Sequence, residues 1–351
     1  MSFSVGIVGL PNVGKSTLFS SLTEVQAEIA NYPFATIEPN KAVVAVPDER
    51  LTRLAELEKS EKIVPTAIEF VDIAGLVAGA YKGEGLGNKF LSNIREVDAI
   101  VHLVRAFEDS NIIHVSGRVN PPEDKKIILL ELILADMEYL QKIMQGVEKR
   151  AKADKDEQAR LEVLKKIEQA LHGEKLASSV ELSQNEQELV KGLQFLTSKP
   201  FLTVANVADT SLEAEIGGEK VLAINVKIEH EISQLAPEER PEFLKEMGLS
   251  ESGLDRLIKK AYEALNLITF ITAGPMETRA WTVTGGTKAP QAAGKIHTDF
   301  ERGFIKAEVI QWHKLLEAGG YGPAREKGWL RLEGKDYAVQ DGDVVHFRFA
   351  K

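Results

Sequence analysis

The stretch GLPNVGKS, Gly9 to Ser16, constrains this chain more than any other, because a loop of that spacing works in one structural setting. It follows the apolar run FSVGIVG and precedes TLFSSLTEV, so it reads as the turn from a buried strand into a helix. In the G-x-x-x-x-G-K-[ST] pattern, backbone N–H groups of Asn12, Val13 and Gly14 and of the helix start at Lys15, Ser16 and Thr17 surround anionic phosphates. Lys15 adds a point charge at the β/γ oxygens, and the Ser16 hydroxyl is a Mg²⁺ ligand. An ordinary glycine-rich turn does not explain why the pattern sits between strand and helix.

A strand that feeds such a loop belongs to a parallel sheet, and further candidates follow at IEFVDIAG, AIVHLVRAF, FLTVANVAD and VLAINV. Near-continuous apolar strands alternating with helical stretches read as a doubly wound α/β domain with both sheet faces covered. Its expected extent is residues 1–125 and 200–270. Between them, over 126–199, Leu130, Ile133, Met137, Leu140, Met144 and Val147 step by three and four, and Leu161, Leu164 and Leu171 continue the spacing. The charged stretch EKRAKADKDEQAR separates the two runs. It is either a solvated helix face or the tip of an inserted helical coiled-coil arm near Lys152 to Gln158. Residues 271–351 change texture to short alternating strands with Gly-Lys-Asp and Asp-Gly-Asp turns and one helix opened by Pro290, a small α+β module.

The chain has no cysteine, which excludes disulfides, thiolate metal sites and a Cys nucleophile. No apolar run reaches the about 20 residues of a membrane helix, so a cytoplasmic address without a membrane partner is expected. The net charge of -10 argues against wrapping naked nucleic acid, and sequence-specific DNA is not an expected partner. That charge is uneven: Met276 to Lys351 carries 12 Lys and Arg against 10 Asp and Glu, which makes Lys288, Lys295, Arg302 and Lys306 the candidate RNA-facing surface.

The remaining motifs form a set around the phosphates. Asp72 ends the strand IEFVD and Gly75 completes D-x-x-G, in which the carboxylate holds Mg²⁺ and the glycine N–H meets the γ-phosphate. Thr36, in NYPFATIEPN, lies where a switch threonine completes the Mg²⁺ shell. Base recognition falls to Asn206, Val207 and Asp209 in NVAD, which lacks the lysine of the guanine motif N-K-x-D. Without that stem guanine stacking weakens, yet Asp209 still suits the guanine edge, so ATP and GTP both stay open. The residue after D-x-x-G is Leu76, where small GTPases carry the glutamine that orients water.

The segments GLPNVGKST, NYPFATIEPN, DIAGLVAGAYKGEGLGNKFL, HVSGRVNP and AAGKIHTDFERGFIKAE together resemble the Obg-like ATPase family, the YchF group of translation-factor-class P-loop NTPases. The resemblance covers essentially the whole chain. It implies a G-domain with an inserted coiled-coil arm and a C-terminal TGS domain of β-grasp type. It also implies ATP in preference to GTP, and a ribosome partner contacted through the TGS domain and the arm. The family's usual base motif is Asn-x-x-Glu, from which Asp209 departs, and by similarity Asn225, Val226 and Lys227 form a second base-side segment. A hydrophobic residue in place of the catalytic glutamine is a family trait, so Leu76 is an expected replacement.

Water must then be placed by another group. His114, in EDSNIIHVSGRVNP, is the catalytic candidate beside Lys15: a neutral imidazole orients water or relays a proton near pH 7. Its competing role is to pack that loop. Asn12 likewise has two readings, a ligand for an activating K⁺ or a loop-stabilising side chain, and His102 inside an apolar strand reads as a core histidine. The leading function is a Mg²⁺-dependent ATPase coupled to ribosome contact; the alternatives are a nucleotide-gated ribosome- or RNA-binding module in which hydrolysis is incidental, or a GTP-preferring GTPase, while a metabolic kinase is disfavoured because it does not need the switch threonine, D-x-x-G and base motif as a set.

Overall fold

A computed structural model describes residues 3–28, 40–73 and 86–350, and they fall into two compact units, 1–43 with 69–257 and 44–68 with 258–351. Thr36, Gly75 and Leu76 lie outside the described residues. The strands in chain order are β1 Ser4–Val8, β2 Lys41–Ala45, β3 Ile63–Val64, β4 Ala67–Asp72, β5 Ala99–Arg105, β6 Phe201–Asn206, β7 Glu213–Ile216, β8 Glu219–Ile224, β9 Leu267–Ala273, β10 Thr278–Thr284, β11 Phe304–Gln311, β12 Arg331–Glu333 and β13 Asp343–Phe349.

The first unit is built on a seven-stranded sheet of order β2-β4-β1-β5-β6-β8-β7. Strands β4, β1, β5, β6 and β8 run parallel, and β7 closes the edge as an antiparallel hairpin with β8. The central strands are apolar on both faces because helices cover both: Val5, Ile7 and Val8 of β1 and every residue of β5 are buried. Each fully buried aliphatic side chain there contributes about 1.5–3 kcal/mol of transfer free energy. The expected doubly wound α/β class is therefore found, and the phosphate loop, Asp72, the Phe107–Val119 loop and Asn206 all follow the C-terminal ends of its parallel strands, where ligands of such sheets bind.

The insertion is a pair of helices, Pro121–Arg150 and Lys155–His172, joined by four residues. Asn120 caps the first helix by accepting from Glu123 N, and Asp154 caps the second by accepting from Asp156 N at 2.8 Å. Ile133, Leu140, Met144 and Val147 pack against Val163, Leu164, Ile167 and Leu171, so the three-and-four stepping of the sequence is the seam of a helical hairpin. The base of the hairpin is fixed by the buried Asp136, whose carboxylate accepts from Leu196 N, Thr197 N and the Thr197 hydroxyl at 2.6–2.8 Å.

The second unit is a six-stranded mixed sheet of order β12-β11-β13-β9-β10-β3, with β9–β10 and β11–β13 antiparallel and β13 parallel to β9. Helix Ala289–Ile296 buries Ala289, Ala292 and Ala293 against Phe270, Val283, Phe304 and Phe347, which gives the small β-grasp module its core. The unit also takes in residues 44–68, a stretch expected inside the nucleotide-binding domain. Strand β3 pairs in parallel with β10, and helix Glu49–Glu58 sends Leu51 and Leu54 into a cluster with Ile271, Ile310, Leu315 and Val344. Arg50 ties this segment down by donating to Asp48 and, at 2.6 Å, to Asp341. Of the candidate RNA-facing cations, Lys288 is paired with Asp336 at 2.9 Å, while Arg302 and Lys306 are exposed.

Candidate nucleotide site

The phosphate loop is shaped by glycine geometry. Gly9 packs so closely under β5 that a Cβ there would lie 2.7 Å from the Leu103 carbonyl oxygen. Gly14 has φ +98°, and a Cβ on it would meet the Asn206 amide at 2.5 Å. From Gly14 the chain enters helix Lys15–Glu28, with Ser16 and Thr17 exposed in its first turn and Leu18 N bonded to Gly14 O at 2.9 Å. The side chain of Val13 is buried, so its carbonyl is held from within the sheet.

Asn206, the last residue of β6, is that holder. Its Nδ2 donates to Val13 O at 2.9 Å and its Oδ1 accepts from Val226 N at 3.2 Å, so one buried amide ties the phosphate loop to the second base-side segment. Asn225 does a similar job one layer out: Nδ2 donates to Ala208 O at 2.8 Å, and Oδ1 caps helix Val226–Gln234 by accepting from Ile228 N at 3.1 Å. Both candidate base-side asparagines thus spend their side chains on protein contacts. Val207 packs beside Val104, Ala205 and Val221, whereas Asp209 and Lys227 are exposed. Hydrogen bonds from the Ser211 hydroxyl and amide hold the Asp209 carboxyl below the usual range.

The phosphate-loop lysine and the candidate metal ligand of the second motif meet across the sheet: Lys15 Nζ and Asp72 Oδ1 form a direct ion pair, although 57 positions separate them. Asp72 is presented by β4, which pairs in parallel with β1, and its register partner is Ile7, two residues before Gly9. A carboxylate and a Ser16 hydroxyl beside phosphate oxygens form a hard oxygen donor set of the kind Mg²⁺ takes, with few protein ligands.

His114 is placed differently from the phosphate-binding residues. Its ring is buried, with Nε2 2.9 Å from Asp124 Oδ2 and Nδ1 accepting from Ser116 N at 3.2 Å. The loop that carries it is scaffolded: Arg105, buried at the end of β5, donates to the carbonyls of Phe107, Asp109 and Ile112 at 3.0–3.2 Å and lies over the Phe107 ring. Asn12 joins the two loops by donating from Nδ2 to Ile113 O at 3.1 Å. Here the Asn12 amide nitrogen stabilises the loop, at a φ of 62°. Burial pushes the Asp124 carboxyl above its usual range, opposed by the hydrogen bond with His114. His102 is the expected core histidine, edge-on to Phe201 and driven by burial down to about 3, with Nδ1 unpaired among the described residues.

Arg105 and Asp124 are the site-shaping residues that sequence reasoning missed. A signal existed for Arg105, a lone cation closing the apolar run AIVHLVR. None existed for Asp124, which reads only as an acidic residue in the first turn of a capped helix.

Likeness to known proteins agrees with this geometry. Residues 4–132 match a family described as 50S ribosome-binding GTPase, and residues 267–350 match the YchF GTPase C-terminal family, described as a protein of unknown function. The "Ribosome-binding ATPase YchF" of Bacillus subtilis is 55% identical over 364 residues, covering 99% of this chain and 100% of that one. Its namesake in Escherichia coli O157:H7 is 50% identical, with 99% of each chain covered. Among solved structures, the YchF GTPase of Schizosaccharomyces pombe superposes with a TM-score of 0.89 at 37% identity, covering 99% of this chain and 98% of that chain. On these full-length likenesses the chain belongs to the YchF family.

Proposed function

We propose that this chain is a Mg²⁺-dependent P-loop ATPase that associates with the ribosome in the cytoplasm and couples its nucleotide state to that contact. The observation that carries the reading is the pairing of Lys15 with Asp72: the phosphate-binding cation and the metal-side carboxylate, from two separate motifs, meet at one place. The pair keeps both groups compensated until phosphates and metal separate them. With nucleotide bound, Lys15 would neutralise the β/γ oxygens, and Ser16, Asp72 and Thr36 would hold a Mg²⁺ that would supply charge stabilisation to the transferring phosphoryl group. Gly75 would meet the γ-phosphate through its N–H. Leu76 has no polar atom with which to orient water, and His114 takes that role once its ring leaves the loop. A K⁺ at Asn12, as an added source of positive charge, would use the side-chain oxygen, since the amide nitrogen is spent on Ile113.

The base site favours adenine because Val207 stands where a guanine site has its lysine, and the bacterial relatives carry ATPase names. GTP is the second reading, motivated by Asp209 and by the GTPase title of the fission yeast relative. Ribosome contact through the C-terminal module and the helical hairpin is supported by the ribosome-binding names of the relatives and by the exposed Arg302 and Lys306. Steady-state ATP turnover with and without ribosomes tests the whole reading. Stimulated turnover supports a ribosome-coupled ATPase, and an unchanged rate with intact co-sedimentation supports a nucleotide-gated binding module.

A further inference from the structure

The His114 ring has no free nitrogen in this structure. The Ser116 amide can only donate, so Nδ1 is an acceptor without a proton, and the neutral ring carries its hydrogen on Nε2, pointed at the Asp124 carboxylate. Asp124 is itself buried and anchored in the first turn of helix Pro121–Arg150, so it does not follow the His114 ring when the ring rotates. The backbone around the ring is held by Arg105 at Phe107, Asp109 and Ile112 and by Asn12 at Ile113. Past the ring these supports end: Gly117 sits at φ +76° with nothing within 4 Å of a Cβ placed on it. The same stretch lines an open hollow of about 480 Å³ with Arg105, Glu108, Ile113 and Arg118.

We propose that Asp124 is a positioning residue that latches His114 in a withdrawn state, and that the Asp124–His114 bond must open before the imidazole can orient the attacking water. This rests on the reading that His114 is the water-positioning group. In the latched state both ring nitrogens are committed, which would keep hydrolysis slow until the ring is freed. Release requires the loss of two hydrogen bonds and rotation of one side chain, with no unfolding of the Arg105-held loop. Because latched and released states compete, weakening the latch raises the released population in proportion.

The test is single-turnover ATP hydrolysis by the full chain without ribosomes, for wild type, Asp124→Ala, Asp124→Asn, His114→Ala and His114→Ala/Asp124→Ala. Asp124→Ala is expected to hydrolyse about tenfold faster, the factor that 1.4 kcal/mol of lost latch corresponds to, with ATP affinity unchanged. Asp124→Asn keeps an oxygen that accepts the Nε2 hydrogen and should stay near the wild-type rate. A general loss of helix charge would move both variants alike. The double variant should match His114→Ala. If Asp124→Ala fails to fold, Asp124→Ser, too short to reach the ring but suited to a helix start, takes its place against Asp124→Asn. An equal or slower rate in the truncated variant, or acceleration that persists without His114, overturns the latch. Failure of the underlying reading looks different: His114→Ala alone would then match wild type.

Discussion

Two loops leave neighbouring parallel strands of the same sheet, β1 and β5, and they are held by opposite means. The phosphate loop is shaped by glycines, with Gly14 at φ +98°, and it leaves Ser16 and Thr17 exposed at a helix start. The Phe107–Val119 loop wraps a buried Arg105 and turns its candidate catalytic ring inward onto Asp124. The first leaves its helix-start hydroxyls open while its lysine is paired with Asp72. The second is organised to withhold a side chain. The Asn12 to Ile113 bond joins them, so the candidate phosphate loop is tied to the segment that holds His114. Preorganisation and latching are thus adjacent in one sheet, and substitutions that act on one loop should leave the other's signature intact.

Lys15→Ala should have the largest effect, because it removes the charge facing the β/γ oxygens and leaves Asp72 without its partner. ATP affinity is expected to fall at least about a thousandfold, near 4 kcal/mol. Calorimetry showing wild-type affinity would remove the phosphate-loop assignment altogether. On the other side of the comparison, His114→Ala should leave ATP affinity within about twofold while lowering turnover about a hundredfold when ribosomes are present, the pattern of an interaction made mainly in the transition state. Single-turnover rates with and without ribosomes check it. Equal rates in both conditions would transfer water placement to another group.

Between these two lies Asn206, which serves the first loop by means typical of the second, a buried side chain. Asn206→Ala strands Val13 O and Val226 N without partners and empties the space above Gly14. An unpaired buried group costs about 1–3 kcal/mol. A loss of about 2 kcal/mol in the unfolding of the first unit is therefore expected, with ATP bound roughly thirtyfold more weakly because the loop is no longer braced. Denaturant midpoints and calorimetry on the same variant separate the two effects. Full affinity despite lowered stability would show that the glycine geometry alone suffices.

The contrast also explains what could be read from the chain. A phosphate loop is written in residue identity, since only glycine and lysine at fixed spacing let backbone and charge approach an anion. Asp72 follows the same logic at a strand end, and the helical hairpin is legible because one seam repeats along two helices. The position of His114 is not written that way, because what holds it is Asp124, ten residues on in another element, and Arg105, whose partners are carbonyls. Residues 44–68, expected inside the nucleotide-binding domain, group with the second unit for a related reason. Asp48 caps helix Glu49–Glu58, and the partners of its buried Leu51 and Leu54, among them Ile271, Ile310 and Val344, lie more than 200 positions away. Local pattern declares an element and its buried face. It does not declare what covers the face.

The smallest effect concerns the base. Val207 sits half-buried beside Val104 and Val221, with its amide bonded to Ile224 O at 3.0 Å, so its backbone is fixed by β8 whatever side chain it carries. Val207→Lys therefore adds a four-carbon stem at a set position without redirecting the chain, and the charged end reaches solvent past the exposed Ala208 and Asp209. The packing lost by removing two methyl groups affects ATP and GTP alike and cancels in their ratio. What does not cancel is stacking of the stem on the base, combined with the hydrogen-bonding pattern of Asp209, whose carboxylate stays ionised at neutral pH and accepts from the guanine N1–H and amino group, whereas adenine offers no such donor pair. The GTP-to-ATP affinity ratio should rise about tenfold, or 1.4 kcal/mol, in competition calorimetry. An unchanged ratio would mean that Asp209 does not face the base and that selection is set by the Asn225–Lys227 segment instead. A ratio that rises in Val207→Lys and falls back in Val207→Lys/Asp209→Ala would place the carboxylate on the base edge, since only a group in contact with the nucleotide makes the gain from the stem depend on its presence.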